Sequence, residues 1–307
     1  MDWTDRHCRY FLRQVSSRVR LYTEMITTGA LIHGDVERHL AFSAEEHQVA
    51  LQLGGSEPHE LARCAKLGEA YGYDEINLNI GCPSERVQRG AFGACLMAEP
   101  ALVARCVAAI RSVISKPVTV KHRIGIDKVE DYSFVRDFVG TVAEAGCKTF
   151  IVHARNAVLK GLSPKENREI PPLKYDYVHR LKQDFPRLEI VINGGITTPE
   201  QVEEQLKHVN GVMIGRAAYS NPWFLADEGK TRAEVVHRMA DYARRQDSLR
   251  HVTRHMLGLY HATPRARLWR RMLSDSAELE KNDPALLLRA LEAVNGDSPR
   301  FSHMMAA

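Results

Sequence analysis

The sequence predicts an α/β fold, a (β/α)8 TIM barrel followed by a small C-terminal helical domain, and three observations lead to it. Seven short apolar runs alternate with longer amphipathic stretches. The strand signals stop near residue 228, and the remainder has helical periodicity only. The chain of 307 residues is long enough for one large domain and a small appendage. We therefore expect a barrel domain over residues 1–227 and a helical domain over residues 228–307.

The predicted strands are runs rich in Val and Ile that are too short to be helices. They cover residues 19–25, 49–55, 75–81, 117–125, 148–154, 188–195 and 209–215. Helical patterns follow them, as at 59–70, 100–114, 132–146 and 199–209. Thr198, Pro199 and Gln201 predict a capping-box start for the last of these helices. Repeated strand–helix units indicate a parallel sheet covered by helices.

A closed barrel of this class needs eight strands, and the sequence pattern supplies seven. Residues 4–17 have a helical pattern, so the remaining strand is expected before them, although the chain starts at Met1. We therefore expect that the start was set too late or that the chain is a fragment. An upstream in-frame extension beginning with a short apolar run supports this expectation, and its absence from the genomic sequence contradicts it.

Composition and cysteine usage indicate a soluble cytoplasmic protein. There is no run of eighteen apolar residues and no apolar segment near the N-terminus, so neither a membrane span nor a signal peptide is predicted. The six cysteines are scattered and form no CxxC pair, which predicts reduced thiols and no metal site.

Positive charge is concentrated in one segment. Between Lys230 and Arg271 there are eleven Lys and Arg residues against three acidic ones, a net charge of +8, whereas the whole chain carries +4. A basic segment on a slightly acidic body predicts a polyanionic partner.

Unusual polar residues occur where strand after strand ends. Because function collects at the carboxyl ends of the strands in parallel barrels, we expect these residues to share one site. They are Gln52, Asn77, Asn79, Cys82, Lys121, Arg123, His153, Arg155, Asn193, Gly194, Gly195, Gly215 and Arg216.

The last two strand ends predict a phosphate site. Gly194 and Gly195 allow a ligand to approach the backbone, and the capped helix after them offers free N–H groups. Gly215 adds a second close approach, and Arg216 adds a guanidinium. Asn193-Gly194 could instead form a hairpin turn, but the following segment has a helical pattern.

Cys82 is the strongest candidate for a reacting group. It lies between Gly81 and Pro83 after a strand, where its side chain should face the barrel mouth. Ordinary thiols titrate near about 8.5, so they stay mostly protonated at neutral pH and can donate a proton. Packing roles are expected for Cys64, Cys95, Cys106 and Cys147. Lys121 and His153 could each be structural, but beside a phosphate corner and a thiol they suit a planar cofactor.

Several motifs together resemble the tRNA-dihydrouridine synthases. They include LQLGGSEPHELA, EINLNIGCPSERVQRGAFGACLM, PVTVKHRIGID, VINGGI and VMIGRAAYSNPWF, in family order and spacing up to about residue 275. KGLSPKENREIPPL and LGLYHATPRARLWRRMLS resemble the A subfamily in particular, which implies uridines 20 and 20a as targets.

The resemblance implies an FMN-binding barrel and a helical domain that together bind the D-loop of tRNA. It assigns FMN binding to Gln52, Lys121, His153, Asn193, Gly194, Gly195, Gly215 and Arg216. NADPH would reduce the flavin, hydride would pass to C6 of the uracil, and Cys82 would protonate C5. Contacts to tRNA are expected from Asn79, Lys165, Arg168, Arg267 and Arg270, although the arginines could simply be solvated. The family's first-strand residues, which also touch FMN, are absent here. A monomer without a protein partner is expected.

Two alternatives remain open at this stage. A dihydropyrimidine or dihydroorotate-type dehydrogenase would share the FMN barrel but would not need the basic segment. An RNA-binding or chaperone-like module would keep the barrel without catalysis, and a yellow purified protein would argue against that interpretation.

Overall fold

The computed structural model describes residues 3–85, 87, 90–129 and 131–296. The chain divides into two compact units. The first, here called the sheet unit, comprises residues up to Arg6 and Arg20–Gly215. The second, the helical unit, comprises His7–Val19 and the residues from Arg216 onward.

Within the described residues, the sheet unit contains seven strands hydrogen-bonded in chain order. All neighbouring pairs are parallel. The strands are β1 (Leu21–Thr27), β2 (Val49–Gly54), β3 (Glu75–Ile80), β4 (Val118–Arg123), β5 (Thr149–His153), β6 (Glu189–Asn193) and β7 (Gly211–Met213). This α/β arrangement is consistent with a TIM barrel. Six of the seven strands lie within the runs that the sequence pattern predicts, and β1 extends two residues beyond the predicted run 19–25.

Helices connect each strand to the next. In chain order they are Thr28–His33, Val36–Leu40, Pro58–Ala70, Pro100–Arg111, Tyr132–Glu144, Tyr175–Asp184 and Pro199–Leu206. Short 3-10 turns lie at Ala44–Glu46, Gly93–Ala98 and Glu166–Arg168. Thr198 caps the helix Pro199–Leu206 by accepting the Gln201 N–H at 3.3 Å. The Gln201 side chain accepts instead from the Thr197 N–H at 2.8 Å, so one half of the predicted capping box is displaced by one residue.

The strands alternate between two different faces. In β2 and β3 the side chains of Leu51, Leu53, Ile76 and Leu78 are fully buried and form an apolar face. The opposite face of β3 carries Glu75, Asn77 and Asn79 at every second position. A buried face with this much polarity must be hydrogen-bonded internally.

The helical unit is built from short helices around one apolar core. They are Arg6–Val15, Arg216–Ser220, Arg232–Ala243, Leu249–Met256, Ala266–Leu273, Ser276–Glu280 and Ala285–Asn295, with a 3-10 turn at Pro222–Leu225. Trp269 is the largest fully buried side chain of this core, and its indole N–H donates to the Met256 carbonyl at 2.9 Å. No helix among the described residues has both the length and the apolarity needed to cross a membrane.

The units differ from the expected domains at both boundaries. The N-terminal helix packs in the helical unit, where Tyr10 stacks on Tyr242 with ring centroids 3.9 Å apart and Phe11 joins the same core. The helical unit also begins at Arg216 instead of residue 228, and Asp227 accepts the Ser17 N–H at 2.7 Å within it. Helical periodicity reveals an apolar face but not which core that face joins, so the sequence could not assign this helix.

Candidate active site at the carboxyl ends of the strands

The strand register places the predicted site residues side by side. Asn79 of β3 pairs with Lys121 of β4. Arg123 pairs with His153 of β5, and His153 pairs with Asn193 of β6. Because all the strands are parallel, their carboxyl ends lie at one edge of the sheet. Residues distant in sequence therefore meet along that edge, as the pattern of strand ends predicts.

Cys82 lies in a turn whose backbone is held from both sides. The side-chain oxygen of Asn79 accepts the N–H groups of Gly81 at 3.1 Å and Cys82 at 3.0 Å. The Cys82 carbonyl accepts the Ala94 N–H at 3.0 Å. The half-buried thiol donates to the Ser84 hydroxyl, with sulfur and oxygen 3.5 Å apart. The turn therefore fixes the thiol while leaving it accessible.

Two cations of β4 lie close to Cys82. Burial, and to a smaller extent the charge of Arg123, lowers the pKa of Lys121 to about 8, while Cys82 acts in the opposite direction. Burial also lowers the pKa of Arg123 to about 10. The Arg123 guanidinium donates to the Gly81 carbonyl at 3.2 Å, so it also braces the Cys82 turn. Lys121 keeps part of its surface accessible although protein encloses most of it, as expected for a group facing a recess.

His153 is a neutral, buried imidazole beside these cations. Burial is the main reason that the pKa of His153 lies well below its usual value, and the charges of Arg123 and Lys121 lower it further. The ring packs against the backbone of Gly194. A Cβ atom added at Gly194 would lie 2.8 Å from the His153 Cδ2 atom, so only glycine fits this position.

The two glycines after β6 adopt conformations that disfavour other residues. Their φ angles are +121° for Gly194 and +71° for Gly195. The Tyr175 hydroxyl donates to the Gly194 carbonyl at 2.6 Å, and the Asn193 side-chain nitrogen donates to the Met213 carbonyl at 2.8 Å. Since β6 and β7 are parallel and a helix joins them, the hairpin alternative is wrong.

The Gly215-Arg216 pair follows β7. Gly215 is exposed, and a Cβ atom added there would meet no atom within 4 Å. Arg216 is also exposed and opens the helix Arg216–Ser220 of the helical unit.

Two arginines of the site hold the loop after β5. Arg123 donates to the carbonyls of Asn156 at 3.1 Å and Asn167 at 2.8 Å. Arg155 donates to the carbonyls of Glu169 and Pro171. This loop carries two of the predicted RNA contacts, Lys165 and Arg168, both exposed. Arg168 lies near enough that its charge lowers the pKa of Lys121 and His153.

The other two predicted RNA contacts, Arg267 and Arg270, lie in the helical unit. Both are exposed and three residues apart on the helix Ala266–Leu273, so they share one face of it.

The remaining cysteines show how Cys82 differs. Cys64, Cys106 and Cys147 are buried, which confirms their predicted packing role. Burial raises the pKa of Cys64 to about 11 and that of Cys147 to about 12. Cys95 is half-buried and donates to the Phe92 carbonyl at 3.1 Å. In the part of the chain that the structure describes, no three His, Cys, Asp or Glu side chains could hold a metal together.

Sequence reasoning missed two buried polar residues behind the site, Thr119 and Glu75, which bond to the predicted site residue Asn77 and to each other. Asn77 bonds to both Gln52 and Thr119, and Thr119 bonds to Glu75. The sequence gives one signal for them, the polar residues at alternate positions along β3. That signal identifies a polar face but does not reveal the partners on neighbouring strands.

Together these groups can bind an anionic, planar ligand next to a proton donor. The glycines provide close backbone approach, the cations provide positive charge, and Cys82 provides an accessible thiol.

Comparison with known proteins agrees with this chemistry. The family model described as dihydrouridine synthase (Dus) matches residues 1–295. A tRNA-dihydrouridine(20/20a) synthase of Synechocystis sp. is 56% identical over 95% of this chain and 92% of its own length. The protein of the same name from Salmonella typhimurium is 57% identical over 96% of this chain and 93% of its own length. That from Escherichia coli K12 is 56% identical over 96% of this chain and 89% of its own length.

Proposed function

Because the chain belongs to the dihydrouridine synthase family, we propose that it reduces uridines 20 and 20a in the D-loop of tRNA to 5,6-dihydrouridine, with FMN as cofactor and NADPH as reductant. The target positions follow the printed names of its relatives. We also propose that the seven strands of the sheet unit form part of the (β/α)8 barrel typical of the family.

The residues at the strand ends suit FMN. Gly194 and Gly195, with Gly215 and Arg216, would receive the phosphate, since their backbone permits close approach and Arg216 adds positive charge. Gln52, Lys121, His153 and Asn193 would hold the ring system, and a cationic Lys121 would favour its reduced, anionic form. When bound and reduced by NADPH, FMN supplies the hydride that is added to C6 of the uracil.

Cys82 would donate the proton that completes the reaction. Hydride addition at C6 leaves negative charge that is quenched when the Cys82 thiol protonates C5. The thiolate that remains is stabilised by Lys121 and Arg123, whose charges already interact with this residue. A proton from solvent then restores the thiol. The C5=C6 bond is thereby reduced by one hydride and one proton.

The substrate would reach this site as a base withdrawn from its stack, since a base inside folded RNA cannot present C5 and C6 to a recessed thiol. Asn79 would contact that base, and Lys165 and Arg168 would contact the neighbouring backbone. Arg267 and Arg270, in the basic segment of the helical unit, would add contacts to RNA phosphates. Such contacts favour binding because they release counterions from the RNA. We propose a monomeric enzyme that acts in the cytoplasm, where tRNA is found.

The observation that carries the proposal is the position of Cys82 at the same strand edge as Lys121, Arg123, His153 and Gly194. We expect Cys82→Ala to retain FMN and tRNA while dihydrouridine formation falls by about 10²–10⁴-fold, the usual contribution of a general acid. The measurement is single-turnover reduction of tRNA by the pre-reduced enzyme.

Cys95→Ala is the matched control, because Cys95 is also a half-buried thiol, in the 3-10 turn Gly93–Ala98, but has no proposed role. Its activity should match that of the unmodified enzyme. Near-normal product formation by Cys82→Ala would show that the Cys82 thiol is not the proton donor.

The substrate class is tested separately by mapping dihydrouridine in tRNA from a strain that lacks this gene. Loss at positions 20 and 20a is expected. An unchanged map, together with reduction of a free pyrimidine, would support the dehydrogenase alternative instead.

A further inference from the structure

A chain of buried and partly buried hydrogen bonds runs across three strands to the Cys82 turn. We call it the amide relay, and its members are Glu75, Thr119, Asn77, Gln52 and Asn79. Thr119 donates to Glu75 at 2.6 Å, and Asn77 donates to Thr119 at 2.8 Å. Gln52 donates to Asn77 at 2.8 Å, and Asn79 donates to Gln52 at 2.8 Å. The strand register supports it, since Asn77 lies between Gln52 of β2 and Thr119 of β4.

The relay has a direction, and the carboxylate of Glu75 sets it. Glu75 is 1% exposed, pairs with the Arg20 guanidinium at 2.6 Å and also accepts the Tyr22 hydroxyl at 3.2 Å. A carboxylate only accepts hydrogen bonds, so the single hydroxyl proton of Thr119 must point toward it.

Each amide must then follow the one before it. With its proton committed to Glu75, Thr119 can only accept from Asn77, so the Asn77 nitrogen faces Thr119 and its oxygen faces Gln52. Gln52 must therefore present its nitrogen to Asn77 and its oxygen to Asn79. The Asn79 nitrogen is turned toward Gln52, and the Asn79 oxygen is left facing the N–H groups of Gly81 and Cys82.

We propose that Glu75 and Thr119 orient the three amides so that Asn79 acts as the positioning residue for the Cys82 turn. This inference rests on the proposed role of Cys82 as the proton donor. Without the carboxylate at its far end, the relay could reverse. The Asn79 nitrogen would then face two backbone N–H groups, and the turn would lose both acceptor contacts.

The same direction limits what Asn79 can recognise. Its oxygen already accepts two N–H groups and its nitrogen donates once, among the hydrogen bonds that the described residues make. One N–H remains, so Asn79 can donate to a carbonyl oxygen of the base but cannot accept its ring N–H. Asn79 is thus a donor-only contact for the pyrimidine.

The test uses Thr119, which is 1% exposed and bonds to Asn77 and Glu75 behind the site. Thr119→Val keeps the shape and removes the hydroxyl, whereas Thr119→Ser keeps the hydroxyl. Thr149→Val is the matched control, because Thr149 pairs with Thr119 in the register and also donates to a carboxylate, that of Glu189 at 2.7 Å.

We expect Thr119→Val to accelerate hydrogen exchange at the Gly81 and Cys82 amides by about tenfold or more and to change the rate of Cys82 alkylation by iodoacetamide. In tRNA reduction, kcat should fall about tenfold while KM for tRNA stays unchanged. Thr119→Ser should restore all three quantities, and Thr149→Val should leave them unchanged. Exchange and alkylation in Thr119→Val equal to those of the unmodified protein would overturn the proposal.

If Thr119→Val does not fold, hydrogen exchange in the unmodified protein tests the proposal instead. The Cys82 amide lies in a turn outside any strand or helix, yet the relay predicts that it exchanges slowly, and rapid exchange would overturn the proposal. Neither exchange nor alkylation depends on catalysis. Full activity of Cys82→Ala would therefore end the acid assignment alone, whereas an unprotected Cys82 amide would end the relay alone.

Discussion

The strand-end site of the sheet unit and the arginine face of the helix Ala266–Leu273 are built in opposite ways. At the strand ends, His153 and Arg123 are buried, and their side chains are held by contacts with the adjoining backbone at Gly194 and Gly81. On the helix, Arg267 and Arg270 are exposed, so water and salt screen their charges. The contrast predicts two kinds of mutational response. A substitution at the strand ends should cause a large loss of FMN affinity or of activity. Substitutions on the helix face should weaken tRNA binding in proportion to the charge that they remove.

Among the variants that test this contrast, Gly194→Ala should have the largest effect, and it tests the rigid end. The added Cβ would lie 2.8 Å from His153 Cδ2, and the φ of +121° is unfavourable for alanine. The imidazole must therefore move, so we expect FMN affinity to fall by about 100-fold, equivalent to about 3 kcal/mol, as for other strained or overpacked buried sites. Flavin fluorescence on titration measures it.

Gly161→Ala is the control that separates crowding from backbone strain. Gly161 also has a positive φ, +92°, but a Cβ atom there meets nothing within 4 Å. It should lose about 1–3 kcal/mol of stability and keep FMN affinity. Equal loss of FMN in both variants would show that crowding against His153 does not matter.

The contrast also explains how far the sequence alone could go. All seven strands and the clustering of their polar ends follow from short runs rich in Val and Ile and from the geometry of parallel sheets. The Asn-Gly-Gly corner was predictable because only glycine tolerates such φ angles. The sequence could not predict which unit contains the first helix. Tyr10 and Phe11 identify an apolar face, but the sequence pattern does not show which core that face packs against.

The relay behind Cys82 lay beyond sequence reasoning for a related reason. Glu75 and Thr119 sit 44 positions apart and meet only through the register of two strands. Their roles depend on which atom donates to which, and a residue type alone does not determine this for an amide or a hydroxyl.

A smaller effect is expected from the pH dependence of FMN binding, because the pKa of Lys121 is lowered to about 8 by burial and by Arg123. Below that pH the ammonium is charged and attracts an anionic ligand. As pH rises through about 8 the charge is lost, so FMN affinity should fall, by up to about tenfold. Flavin titrations between about pH 6.5 and 9.5 measure this.

Lys121→Arg provides the comparison, because a guanidinium stays charged throughout that range. Its affinity curve should be flatter, and parallel curves would exclude Lys121 as the titrating group. The same shift affects stability with the opposite sign. The unfolded chain binds more protons at this lysine between about pH 8 and 10.4, so the lysine's contribution to the free energy of unfolding rises with pH there.

The smallest and most graded effect is expected on the helix face. Arg267→Glu combined with Arg270→Glu should weaken tRNA binding by about tenfold near physiological salt and leave FMN affinity unchanged. The dependence of log Kd on log salt should become shallower by about two, one for each phosphate contact removed.

Arg187→Glu is the control, since Arg187 is exposed but lies just before β6, at the amino ends of the strands. A weaker affinity with an unchanged salt slope would mean that the reversed charges disturbed the helix instead of removing phosphate contacts. Unchanged tRNA affinity would mean that these two arginines are only solvated surface residues. The RNA-binding role would then pass to other residues of the segment from Lys230 to Arg271.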